Sequence, residues 1–380
     1  MAAPYDFESL TDRSGGDSMK WNKYAGRDIL PMWVADMDFP AAPEILTQVA
    51  RRLARGDLGY ADPSVSLAGA VCAHLDREYG WSIEPTQIVW LPGLVTGINV
   101  ACRAAGGGVF SATPVYPPFL TAPGFSGLPL ASAPLRLSKN RWTWNIGAVD
   151  AALTPETRLF LLCHPHNPVG RLWDADELIE IAALCMRRNL FICSDEIHCG
   201  LVLDADKRHQ PFATIAPHAS ARCITLMAPS KTWNIPGMAC AFAVIPDTLL
   251  RRRFLRAMRG IVPHVNALGL VAVEAAYREG GAWRAALLEV LRANRDYVEE
   301  TVETIDGLAM AHVEAGFLAW IDARGLSVDD PAIFFESRGV GLSCGRAFGA
   351  PGWVRLNFGC PMQTLETALS RMRRAVESLP

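Results

Sequence analysis

The sequence predicts an α/β protein with a mixed, mostly parallel sheet between helices and a smaller α+β lobe. Three observations carry this. From residue 158 onward, short apolar runs (158–163, 190–193, 223–227, 239–245) alternate with helical stretches. That is the pattern of parallel strands covered on both faces. Three polar residues, Asn167, Asp195 and Lys231, each follow one of these runs. They therefore sit past the carboxyl ends of strands, where such sheets bind ligands. The final third alternates short strands (317–321, 340–344, 354–358) with helices, which gives the smaller lobe. The expected division is a large lobe over 45–265, with an N-terminal arm (1–44) and a small C-terminal lobe (266–380) completing the chain.

The first forty residues are irregular but end in Pro31-Met32-Trp33-Val34-Ala35-Asp36-Met37-Asp38-Phe39-Pro40. Aromatic and apolar residues between prolines predict an ordered arm packed on the body. Residues 43–55 and 66–79 read as helices, the first stopped by Gly56, with Gly59-Tyr60 in the turn between them. The strand 88–91 runs into Pro92-Gly93-Leu94-Val95-Thr96, and a helix follows from Thr96 to Ala105, capped by Gly106. A glycine turn from strand to helix exposes backbone N–H groups at the positive end of the helix dipole, which suits a phosphate. Glycine for turn shape alone is the other reading. Prolines on both sides of Tyr116 fix its ring, either as a packed corner or as a face for a planar cofactor.

Asp174 and Glu177 form a capping box for a helix to Arg188. Pro229 breaks the strand before Lys231, and Pro236-Gly237 prevents a long helix after it. The lysine is thus placed on a turn at a sheet end. The helix 248–259 carries five arginines and reads as a solvated or subunit-facing surface, and a long helical stretch covers 266–305.

Bulk properties exclude several classes. A net charge of −3 over 380 residues gives no footprint for nucleic acid. No apolar run reaches the roughly 20 residues that span a bilayer, and residues 1–8 carry no secretory signal pattern. The ten cysteines lack paired CxxC spacing, which indicates reduced thiols in a cytoplasmic protein.

Two chemistries fail on spacing. Cys163, His164, His166, Asp195 and His198 cluster at strand ends but match no zinc pattern, so no metal is expected. Ser230 and Lys231 are adjacent on one turn, where side chains point apart, which weakens a Ser/Lys hydrolase. Pyridoxal phosphate needs a lysine for its aldehyde, a carboxylate for its ring nitrogen and an anion site. It also needs an aromatic face and a polar group at its phenolic oxygen. Lys231, Asp195, the Gly93–Thr96 turn, Tyr116 and Asn167 supply these.

The sequence resembles the fold-type I pyridoxal-phosphate enzymes of the aminotransferase class I/II superfamily, and more closely the MalY/PatB-type cystathionine β-lyases. The resemblance rests on Lys20-Trp21, the arm motif, Gly59-Tyr60 and Pro92-Gly93-Leu94-Val95. It continues through Pro114–Phe119, His166-Asn167-Pro168-Val169-Gly170-Arg171 and Ser194-Asp195-Glu196-Ile197-His198. Ser230-Lys231-Thr232-Trp233-Asn234 and Arg355-Leu356-Asn357 with Cys360-Pro361 complete it.

It implies a carbon–sulfur lyase that converts cystathionine or a related thioether to a thiol, pyruvate and ammonia. Lys231, Asp195 and Tyr116 would be catalytic. Leu94, Val95 and Ser230 would hold the cofactor phosphate, with Tyr60 of the neighbouring subunit, so the protein would be a homodimer with shared sites. Arg355, with Asn167 and Tyr60, would meet the substrate. His198 lies near the phenolic oxygen, where bonding and packing both remain open. An aminotransferase on the same scaffold and a non-catalytic regulator are the rivals. The chain departs from the wider pattern at Ala239, where an arginine is frequent, at Ala228, at Gly200 and before the tyrosine motif, where the usual aspartate after glycine is missing. The last two leave substrate preference open.

Overall fold

The computed structural model describes residues 5–13, 15–216 and 218–380. Residues 1–4, half of the stretch read as free of a secretory signal, lie outside them.

A seven-stranded sheet forms the body: β1 (Ile88–Leu91), β2 (Gly108–Thr113), β3 (Leu130–Pro134), β4 (Thr157–Cys163), β5 (Phe191–Asp195), β6 (Cys223–Met227) and β7 (Ala241–Val244). Its order is β1-β7-β6-β5-β4-β2-β3. The strands from β6 to β3 are parallel, while β7 runs antiparallel to both β6 and β1. The sheet is thus mixed and mostly parallel, as the sequence predicts, with β7 as the strand that runs the other way. Strand direction leaves no mark on a run buried on both faces. Side chains pack into a core on each face of the sheet, with Phe110, Phe160, Ile192 and Phe242 on one side and Val109, Leu161, Cys193 and Leu226 on the other. That alternation is the period of two expected of strands.

The smaller sheet contains β8 (Ala309–Met310), β9 (Leu318–Asp322), β10 (Ser343–Cys344) and β11 (Trp353–Asn357) in the order β8-β9-β11-β10, all antiparallel. Among the described residues no helix is long and apolar enough to cross a membrane. All ten cysteines are free thiols.

Three local findings position the site. Helix α1 (Leu94–Ala105) starts two residues earlier than its composition suggests, so Leu94 and Val95 are its first residues. Its other end is covered by Arg253, whose guanidinium donates to the Ala104 and Ala105 carbonyls at 3.0 and 3.2 Å. That side chain of the arginine-rich helix is therefore structural. The single helical stretch expected over 266–305 is two helices, Ala267–Glu279 and Gly281–Glu303. At the junction the Gly280 carbonyl accepts the Trp233 indole N–H at 2.8 Å, and a Cβ on Gly280 would lie 2.3 Å from that nitrogen. The capping box of Asp174 and Glu177 forms as expected.

Candidate active site

A cavity of about 210 Å³ opens at the carboxyl ends of β4, β5 and β6. Lys231, Asp195, Asn167, Tyr116, His198, Ser230, Leu94, Val95 and Arg355 all line it. Tyr60 does not: its side chain is fully exposed in this chain.

Lys231 follows β6 on a turn closed by Trp233 N–H to the Pro229 carbonyl (2.9 Å) and Ile235 N–H to the Ser230 carbonyl (3.0 Å). The indole of Trp233, seated against Gly280, fastens this turn from behind. Its ammonium donates to the Ala35 carbonyl at 2.5 Å. Burial pulls its pKa down to about 8, with Arg355 adding to the fall and Asp36 and Asp195 opposing it. A lysine in this range exchanges protons near neutral pH.

Asp195 ends β5, and its side chain alternates with its neighbour's. The Asp195 carboxylate lines the cavity and accepts the Ile197 N–H at 3.1 Å. Glu196 engages other partners, accepting Ser194 Oγ, the Phe212 N–H and His209. Burial raises Asp195 to about 7 against the help of the Ile197 amide. A cation set against it would favour the charged form. His198 is buried, and burial with the nearby Lys231 and Arg355 pushes it down to about 3, so the imidazole is neutral. Its Nδ1 has no partner.

Arg355, on β11, is buried and donates to Asn167 Oδ1 and the Trp33 carbonyl, both at 3.0 Å. Its guanidinium lies 4.7 Å from the Phe348 ring centroid, within cation–π range. Burial lowers it to about 10, which leaves it charged at neutral pH. Its Nε is buried without a partner. At the other end of the cavity, Gly93 begins α1 and no side chain caps it. Leu94 and Val95, in the first turn of that helix, and Ser230 line the cavity there, an arrangement that suits an anion. Ala239 lines the same cavity in left-handed conformation (φ 46°), so no cation stands at that position.

A model of the family described as aminotransferase class I and II matches residues 27–372. The chain belongs to this family. Within it, the chain is 34% identical to cystathionine beta-lyase PatB of Bacillus subtilis (strain 168), over 98% of this chain and all of that one. A crystal structure of OvoB superposes with a TM-score of 0.97 at 47% identity, covering 99% of this chain and 100% of the other. A crystal structure of cystalysin from Treponema denticola, which contains pyridoxal 5'-phosphate, gives 0.94 at 29% identity, with 99% and 100% covered.

The cavity of this aminotransferase-family chain fits that cofactor. An uncapped helix N-terminus with a serine suits the phosphate, a buried carboxylate the ring nitrogen, and a lysine the aldehyde. By contrast, His164 and His166 are tied to backbone: their Nε2 atoms donate to the Gln210 and Pro114 carbonyls at 3.1 and 2.8 Å. Among the described residues no three His, Cys, Asp or Glu side chains form a metal-holding group.

Sequence reasoning missed the role of the arm. Val34 and Ala35 line the cavity, and the alternate arm carbonyls of Trp33 and Ala35 receive Arg355 and Lys231. Backbone acceptors carry no side-chain signature; the only signal was that Pro31–Pro40 looked ordered. Cys163, weighed in the sequence with the strand-end histidines for a metal, and Cys240 also line the cavity.

Proposed function

We propose that the protein is a pyridoxal-phosphate-dependent carbon–sulfur β-lyase that cleaves cystathionine or a related cysteine S-conjugate. Water and the thioether give a thiol, pyruvate and ammonia. One observation carries the reading: Lys231, Asp195 and Arg355 open on one cavity in a chain 34% identical to a cystathionine β-lyase over nearly its whole length.

Bound cofactor supplies an electron sink for the charge left at the substrate α-carbon. Arg355 binds the substrate carboxylate, a bidentate task that suits a guanidinium. Asn167 already holds that guanidinium through its Oδ1. Lys231 Nζ takes the α-proton, which its lowered pKa permits near neutral pH. Ionised Asp195 would hold a proton on the cofactor's ring nitrogen, Tyr116 would offer the ring a face, and Asn167 with neutral His198 would supply polar groups for its phenolic oxygen. Leu94, Val95 and Ser230 hold the phosphate, and the exposed Tyr60 of a second copy completes it in a cytoplasmic homodimer. The cofactor-binding lobe spans 45–265, with the arm and residues 266–380 closing the site.

The test is a coupled pyruvate assay over a panel of thioethers with no keto acid added. Pyruvate and ammonia in equal amounts support the lyase. Strict dependence on an added keto acid selects the aminotransferase, and no turnover by protein that holds cofactor selects a binding or regulatory role.

A further inference from the structure

Four consecutive arm carbonyls are each claimed by a side chain from elsewhere in the fold. Trp33 O accepts Arg355 Nη2 at 3.0 Å and Ser343 Oγ at 2.7 Å. Val34 O accepts Asn357 Nδ2 at 2.7 Å. Ala35 O accepts Lys231 Nζ at 2.5 Å. Asp36 O accepts Asn357 Nδ2 at 2.9 Å and Lys20 Nζ at 2.8 Å. The carbonyls of 33 and 35 thus meet the two functional cations, while those of 34 and 36 meet one asparagine.

Asn357 is buried, and its Oδ1 accepts the Gly359 N–H at 2.8 Å, so both ends of its amide are engaged. It stands two residues after Arg355 on β11. At the far end, Asn234 stands three residues after Lys231 and donates to the Met37 and Phe39 carbonyls at 3.0 and 2.7 Å. The arm is therefore bolted to the turn that carries the lysine and to the strand that carries the arginine.

We propose that Asn357 is a positioning residue for the reaction: by gripping the carbonyls on either side of Ala35, it sets the spacing between Arg355 and Lys231. No other side-chain type of this size both donates twice and accepts once in this arrangement. Asn357→Asp would place carboxylate oxygens against two carbonyl oxygens, and Asn357→Ser would leave at least one of them unpaired. Either change lets the arm shift, and a shift moves both cations.

This inference rests on the lyase reading, and the wild-type pyruvate assay separates the two: no wild-type turnover sinks the reading, not the inference. The test compares wild type, Asn357→Asp and Asn357→Ser loaded with cofactor, using α-protiated and α-deuterated thioether. Expected are retained visible absorbance, a kcat lowered on the order of 10- to 100-fold, a raised KM and a larger deuterium effect on kcat. Ser343→Ala frees the Trp33 carbonyl of one donor and removes the Ser343 Oγ that Arg355 Nη2 reaches at 3.4 Å, but leaves Asn357 and the Ala35 carbonyl in place. KM should therefore rise without an increase in the deuterium effect. A second readout needs neither turnover nor cofactor. In the cofactor-free protein, the rate at which an amine reagent labels Lys231 should rise several-fold in either Asn357 variant. Variants that melt earlier but keep wild-type kcat, KM, isotope effect and labelling rate would show a purely structural role and overturn the proposal.

Discussion

Replacing Asp195 by asparagine should stabilise the cofactor-free protein at pH 8 while destroying its function. The carboxyl is buried, and its pKa is raised from 3.8 to about 7, chiefly by burial. The unfolded chain releases this proton near its ordinary value, whereas the folded chain keeps it to about 7. The folded state therefore binds more protons between those values, and stability falls as pH rises through that window. A difference of about three units at roughly 1.4 kcal/mol each gives a cost on the order of 4 kcal/mol above pH 7. For a chain of 380 residues, about 0.8 kcal/mol per degree of unfolding entropy turns this into a rise of roughly 5 °C.

The assay is thermal unfolding of cofactor-free wild type and Asp195→Asn at pH 5 and pH 8. The variant should gain several degrees at pH 8 and far less at pH 5. With cofactor bound the order should reverse, because the wild type then has a cation for its carboxylate and the variant does not. Equal gains at both pH values, or no gain at pH 8, would refute the argument that burial of charge dominates at this position.

Other outcomes follow from the same geometry. Lys231→Ala should abolish the visible absorbance of the loaded protein and its pyruvate production, read by spectrophotometry of purified material. Arg355→Lys should lower kcat/KM about 10- to 100-fold, because one charge-assisted hydrogen bond worth roughly 1.5–3 kcal/mol is lost; unchanged kinetics would remove Arg355 from carboxylate binding. Gly280→Ala puts a Cβ 2.3 Å from the Trp233 indole nitrogen. It should cost about 1–3 kcal/mol and weaken cofactor affinity through the lysine turn, measured by unfolding and by cofactor titration. Mixtures of inactive Tyr60→Ala and Lys231→Ala proteins should regain activity through hybrid dimers; none despite proven subunit exchange would count against shared sites.

The lysine, aspartate and asparagine were legible because each ends or follows an apolar run, and a buried parallel strand has few other ways to stop. Arg355 and His198 needed the resemblance, since an arginine on a short strand and a histidine after Asp-Glu-Ile look ordinary alone. What stayed hidden was carried by groups without a residue code. The helix Pro117–Phe125 contains prolines at positions 117, 118 and 123 and gave no helical signal. The edge strand Leu130–Pro134 is half-exposed and lacks an apolar run. The arm carbonyls, the direction of β7 and the break at Gly280 depend on partners distant in sequence. Gly200, noted as a departure from the lyase pattern, acquires a reason: a Cβ there would lie 2.5 Å from Thr232 Oγ1, next to Lys231. The missing acidic side chain is a matter of space.

The arm also has a consequence for how the protein is made. The bond from Arg355 to Trp33 spans 322 residues, and those from Asn357 to Val34 and Asp36 are of similar reach. A chain emerging from the ribosome therefore makes its arm long before the strand that clamps it. The body sheet, complete by Val244, can assemble during synthesis, domain by domain. The strand Trp353–Asn357, which brings Arg355 to the cavity, is made well after the body sheet, so the clamp on the arm closes after the sheet it faces.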